Sequence, residues 1–102
     1  MNAIMLVGHL PADARGSKTS TGDGYGLVFT VSVADYVRTD SALLERPMFF
    51  ECAFVGKKAE RLEPALRRGA RVAVRGRVVT GPLDESEKLI CADDIEVLGP
   101  AK

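Results

Sequence analysis

The sequence predicts an all-β fold: a small closed barrel of five strands, with one short helix between the third and the fourth. Three observations point there. Apolar residues recur with a period of two, Gly- and Pro-containing turns interrupt the runs at short intervals, and only residues 59–68 read as a helix. A chain of 102 residues reads as one domain, 1–102, able to bury about two thirds of its unfolded surface around a single core.

The first strand is the apolar run 3–7, ending at Gly8; residues 9–16 then turn, with Pro11 and Gly16 as breakers. Residues 17–26 hold Gly22, Gly24 and Gly26 and read as a mobile hairpin loop. No helix follows those glycines, so they are not a dinucleotide cradle. Residues 27–38 alternate: Leu27, Phe29, Val31 and Val33 face one way, and Val28, Thr30, Ser32, Ala34, Tyr36 and Arg38 the other. Residues 39–47 read as a second loop. The third strand, 48–55, sends Phe50, Cys52 and Phe54 to the core and Phe49, Glu51, Ala53 and Val55 outward.

The helix at 59–68 has Gly69 at its C-terminus and Pro64 inside it. A proline there removes a hydrogen bond and clashes with the carbonyl four residues back, at a cost of about 3 kcal/mol in a regular helix. The helix is therefore expected to kink or split at Pro64. Residues 70–80 form the fourth strand, with Val72, Val74, Gly76 and Val78 inward and Arg71, Ala73, Arg75, Arg77 and Val79 outward. A short acidic hairpin at 81–88 leads to a fifth strand at 89–98. Five short strands with a helix after the third is the order of the oligonucleotide-binding (OB) barrel.

Composition narrows function more by exclusion. An apolar fraction of 46% and a charged fraction of 27% are those of an ordinary soluble globular protein. No run approaches the 18 or more apolar residues of a membrane span, and residues 1–8 lack the pattern of a signal peptide, so a cytoplasmic location and no membrane partner are expected. Cys52 and Cys91 sit in strands outside any Cys-x-x-Cys pair and read as small buried hydrophobes. His9, the single histidine, reads as a turn residue without partners, and Asp84, Glu85 and Glu87 as a solvated hairpin tip. Catalysis, a metal and a cofactor are not expected.

Net charge is zero, but the bases Lys57, Lys58, Arg61, Arg67, Arg68, Arg71, Arg75 and Arg77 cluster, as do the acids between Asp84 and Glu96. A basic region and an acidic one are expected. Phe49 is an outward ring on a strand that runs into Lys57-Lys58, and a ring beside cations suits unpaired nucleic acid, where bases stack and phosphates are neutralised. Phe49 packing on a loop or a partner subunit is the alternative, just as the arginine row of the fourth strand reads either as a phosphate track or as a solvated sheet face.

Four motifs in register resemble the bacterial single-stranded DNA-binding protein family. Residues 2–10 with Asp13 resemble its opening strand and turn. Phe54-Val55-Gly56-Lys57-Lys58-Ala59-Glu60 resembles its third strand entering the helix, while Leu66-Arg67-Arg68-Gly69 and Val74-Arg75-Gly76-Arg77-Val78 resemble the helix end and fourth strand. The resemblance implies an OB barrel, assembled as a homotetramer or dimer, that wraps single-stranded DNA in replication, recombination or repair, with replication or repair proteins as further partners. It places Phe49 where the family keeps a stacking tryptophan. Lys57 and Arg68 fall on basic positions, and Tyr36 lies one residue before another stacking position, held here by Val37.

The expected nucleic-acid-binding set is thus Tyr36, Arg38, Phe49, Val55, Lys57, Arg68, Arg71, Arg75 and Arg77. Val55 and Leu83 stand where relatives often carry rings, and the last hairpin is short and acidic; the family's acidic, hydrophobic-tipped tail is not expected after residues 99–102. Each lost stack removes roughly 1–3 kcal/mol per base, so a divergent, tailless member with weak to moderate affinity is expected. A primosomal replication protein is similar in length and fold. The alternative function is an OB module for protein interaction or oligomerisation, with little nucleic-acid binding.

Overall fold

The structure, a computed structural model, describes residues 1–18, 24–81 and 84–100. Its elements are β1 (Ile4–His9), β2 (Arg15–Lys18), β3 (Tyr25–Arg38), β4 (Leu43–Val55), helix α1 (Ala59–Leu62), a 3-10 turn (Glu63–Ala65), β5 (Arg71–Thr80) and β6 (Lys88–Gly99). β1, β5, β6, β4 and β3 succeed one another around the sheet, and a β1–β3 bridge at His9 and Ser32 closes it into a five-stranded barrel. Among the described residues only β4 and β6 run parallel, at Cys52–Ile90 and Ala53–Cys91. The closing bridge is a single residue pair, so among the described residues β1 is paired along its length only with β5.

Two local devices hold β1 in place. A Cβ on Gly8 would lie 2.1 Å from the Ser32 carbonyl oxygen, so β1 reaches β3 only because this residue has no side chain. At the other end the Asn2 side chain imitates a strand residue: its amide nitrogen donates to the Val78 carbonyl at 2.6 Å, and its oxygen accepts from the Val78 N–H at 2.9 Å.

Alternation fills the interior as the sequence requires. Leu27, Phe29 and Val31 of β3, Cys52 and Phe54 of β4, Val72 and Val74 of β5, and Leu6 of β1 are buried together. On β6 the inward residues are Ile90, Ala92 and then Ile95. The change of parity follows a bulge opposite Arg75 and Gly76, where Asp93 is the extra residue between Ala92 and Asp94. One end is sealed by the fully buried Leu10, Ala59 and Leu66. The helix splits where expected: α1 stops at Leu62, and Pro64 falls in the first positions of the 3-10 turn, where its missing N–H deprives nothing of a partner. Gly69 then takes φ 92°, a left-handed conformation that favours glycine.

Cys91, read as a buried hydrophobe, is only partly buried and lies opposite Arg77. Three further expectations need correction. Residues 15–18, read as turn and loop, form β2 by pairing with residues 25–28 of β3, although they carry no apolar alternation. Residues 43–47, read as loop, belong to β4, which pairs with β3 from Arg38–Leu43 down to Gly26–Val55. This hairpin stands beyond the barrel as an arm, and Pro47 fits there because its missing donor faces no third strand. The basic and acidic stretches are not separate regions: β5 lies beside β6, and Arg75 donates to Asp94 at 3.1 Å. Residues 19–23 of the expected hairpin loop, residues 82–83 including Leu83, and residues 101–102 lie outside the described residues.

Candidate nucleic-acid interface

In an antiparallel ladder, directly opposed residues share a face. The pairs Arg38–Leu43, Tyr36–Glu45, Ala34–Pro47 and Ser32–Phe49 therefore line the outer face of the β3–β4 hairpin. Phe49 is 61% exposed and Tyr36 58%, so both rings lie open on that face, four residues apart along β3 register. Arg38 stands one pair further out. Small residues, Ser32 and Ala34, lie between the rings and keep the surface low.

The bridge that closes the barrel extends this face across two more strands. Phe49 opposes Ser32, Ser32 opposes His9, and His9 opposes Arg71, giving one row over β4, β3, β1 and β5. At roughly 4.8 Å per strand the row is about 14 Å from Phe49 to Arg71. Val7, Gly8, His9, Ser32, Ala34, Gly69 and Arg71 line an open groove of about 460 Å³ along it. Arg68 is exposed just before Gly69, its backbone N–H held by the Asp13 carboxylate at 2.7 Å. Arg67, its neighbour, is committed to the fold: it pairs with Asp13 at 3.3 Å and donates to the carbonyls of Ala14 and Glu63, both at 3.0 Å.

The remaining expected residues lie elsewhere on the outer surface. Val55, 65% exposed, is at the far end of β4, six residues or roughly 20 Å from Phe49, and Lys57 follows it. Arg77 opposes Cys91, which opposes Ala53, so it belongs to that far end as well. Arg75 sits between the two ends and is engaged by Asp94. The structure thus gathers Tyr36, Arg38, Phe49, Arg68 and Arg71 toward one end, and Val55, Lys57 and Arg77 toward the other. His9 was missed because β1 was expected to stop at Val7. The outward parity Met5, Val7, His9 would have carried it onto the row had the strand been read through Gly8.

Titratable groups off this face serve the scaffold. The Tyr25 hydroxyl donates to Glu63, tying β3 to the 3-10 turn, and this bond to a carboxylate, ahead of burial, raises its pKa above the usual 10.0. Burial, then the nearby Glu51 charge, pushes the Cys52 thiol up to about 12. Asp84 accepts from the Ser86 hydroxyl and N–H, which lowers its pKa and fastens the hairpin turn. The arrangement offers stacking surfaces and, among the described residues, cations without a salt-bridge partner.

Residues 1–96 match the Single-strand binding protein family. The chain belongs to that family. It is a family of binding proteins, not enzymes. The chain is 29% identical over 76 residues to the single-stranded DNA-binding protein of Borreliella burgdorferi, covering 74% of this chain and 50% of that one. It is 27% identical over 108 aligned positions to single-stranded DNA-binding protein 1 of Chlorobaculum tepidum, covering 97% and 65%. It therefore spans half to about two thirds of the length of these curated relatives. Among solved structures, the wild-type single-stranded DNA binding protein from Thermus aquaticus superposes with TM-score 0.79 at 23% identity, covering 96% of this chain and 50% of that one. The small single-stranded DNA-binding protein from Streptomyces coelicolor gives TM-score 0.73 at 20% identity, covering 95% and 94%. At those identities the two structures speak for the fold.

Proposed function

We propose that this chain binds single-stranded DNA without strong sequence preference, by stacking bases on exposed rings and neutralising phosphates, in replication, recombination or repair at the nucleoid. The observation that carries the reading is Phe49, open on the outer face and in one row with Arg71, whose guanidinium has no salt-bridge partner among the described residues. Tyr36 and Arg38 extend the path along the arm, and Arg68 widens its cationic end. A long strand would continue around the barrel to Val55, Lys57 and Arg77, while Arg75 stays with Asp94. Stacking needs only a π-face, which every base has, so such a path tolerates any sequence.

A titration of labelled oligothymidylate at about 50 and about 200 mM salt tests this. Binding at the lower salt that weakens at the higher is expected, and Phe49→Ala costs roughly 1–3 kcal/mol of affinity. Absence of binding at low salt overturns the reading.

One observation favours a second role beside the first. The arm exposes Leu43, Leu44 and Met48 as well as the two rings, more apolar surface than a two-stranded ribbon needs. A homo-oligomer, dimer or tetramer, would cover part of it. Light scattering separates the roles: Phe49→Ala that loses DNA but keeps its mass supports stacking, whereas a fall in mass places the ring at a subunit interface.

A further inference from the structure

We infer that the groove between Phe49 and Arg71 is a second nucleotide subsite, in which the His9 imidazole carries a nucleobase and Arg71 takes the adjoining phosphate. The inference rests on the proposed single-stranded DNA binding and deepens it by naming a residue that neither composition nor motif pointed to. Three features meet here. The His9 ring is exposed and, among the described residues, its imidazole has no hydrogen-bond partner. It lies two strand spacings, roughly 10 Å, from Phe49 and one from Arg71. The groove it lines is walled by Val7 and Ala34 and floored by Gly8 and Ser32, small residues that leave room above the sheet.

The chemistry fits one ligand class. Unstacked bases settle on aromatic side chains, histidine among them, and a guanidinium binds a phosphate oxygen in a forked geometry. A ring, an apolar wall and a cation in sequence match base, sugar and phosphate of one nucleotide. Phe49 holds the neighbouring base. The Gly8–Ser32 approach is what puts His9 in this row: it closes the barrel at that bridge and turns the imidazole onto the same face as Phe49. The subsite thus follows from the element that closes the fold.

The test compares His9→Ala, His9→Phe and Arg71→Ala by oligothymidylate titration across salt, with thermal unfolding of each variant alongside. The inference expects His9→Ala to weaken binding about 10-fold, as for one lost stack, with an unchanged salt slope. His9→Phe should restore it. Arg71→Ala should reduce the salt slope by about 0.7, one phosphate contact on a single strand. The proposed subsite is overturned if His9→Ala binds like the parent while Phe49→Ala fails, an outcome that leaves the broader DNA-binding reading standing. It is equally overturned if His9→Phe does not rescue, or if His9→Ala lowers the slope, since the imidazole would then act as a charge. A parent chain that binds no oligothymidylate removes the broader reading and the subsite together.

Discussion

At Gly8 the barrel closes on a contact that leaves no space for a methyl group. A Cβ there would meet the Ser32 carbonyl oxygen at 2.1 Å, and backbone on both sides limits how far either strand can yield. Gly8→Ala is expected to destabilise the protein by about 1–3 kcal/mol, the usual cost of forcing extra atoms into a packed site, read as a fall in the denaturant midpoint. A second prediction concerns Cys52, buried on the inner face of β4 with its thiol pushed up to about 12 from 9.0. The unfolded thiol ionises first as pH rises, so the unfolded state binds fewer protons and stability falls between pH 9 and 12. Below pH 9 both states hold the proton and the thiol contributes no slope. Stability–pH slopes for the parent and Cys52→Ala should coincide below pH 9 and differ by at most one proton between pH 9 and 12. The inward placement of Cys52 was legible from alternation alone. The role of Gly8 was not, because nothing in the sequence tells that β1 and β3 meet there.

Elements with an apolar period were readable and elements without one were not. β5 and the inner half of β3 carry strict alternation, and Pro64 announces the split helix by its chemistry. β2 and the outer part of β4 are strands only because β3 offers them backbone partners, and Arg15–Lys18 or Leu43–Pro47 bring no buried face of their own. That difference has a dynamic consequence. The arm beyond Ala34–Pro47 is a lone two-stranded ribbon with solvent on its outer face, and such ribbons are marginal in water. Amide exchange is expected to show residues 36–38 and 43–45 opening at a small fraction of the global free energy, whereas Leu27 to Val31 and Val72 to Val74 open only with the whole barrel. Uniform protection along β3 would contradict this.

Across the whole molecule the question is how far a bound strand travels. Net charge is zero and β5 lies against acidic β6, so no long-range field draws in a polyanion; attraction has to come from cations left free locally. Arg67 and Arg75 are spent on Asp13 and Asp94. Arg38, Arg68 and Arg71 remain at the Phe49 end, and Lys57 and Arg77 at the Val55 end, so the candidate site that the sequence presented as one groove divides in two. The arginine row could not reveal this from spacing, because the partner of each outward position depends on which strand lies beside β5. A short oligothymidylate confined to the Phe49 end meets about three cations, so log affinity should fall with log salt at a slope near −2, from about −0.7 per contact. A longer one that rounds the barrel meets about five and should approach −3.5. Arg77→Ala is the discriminating variant: it should leave the short-oligonucleotide slope unchanged and reduce the long-oligonucleotide slope by about 0.7. If it alters neither, the strand never leaves the Phe49 end, and if it alters both, the two ends act as one site even for a few nucleotides.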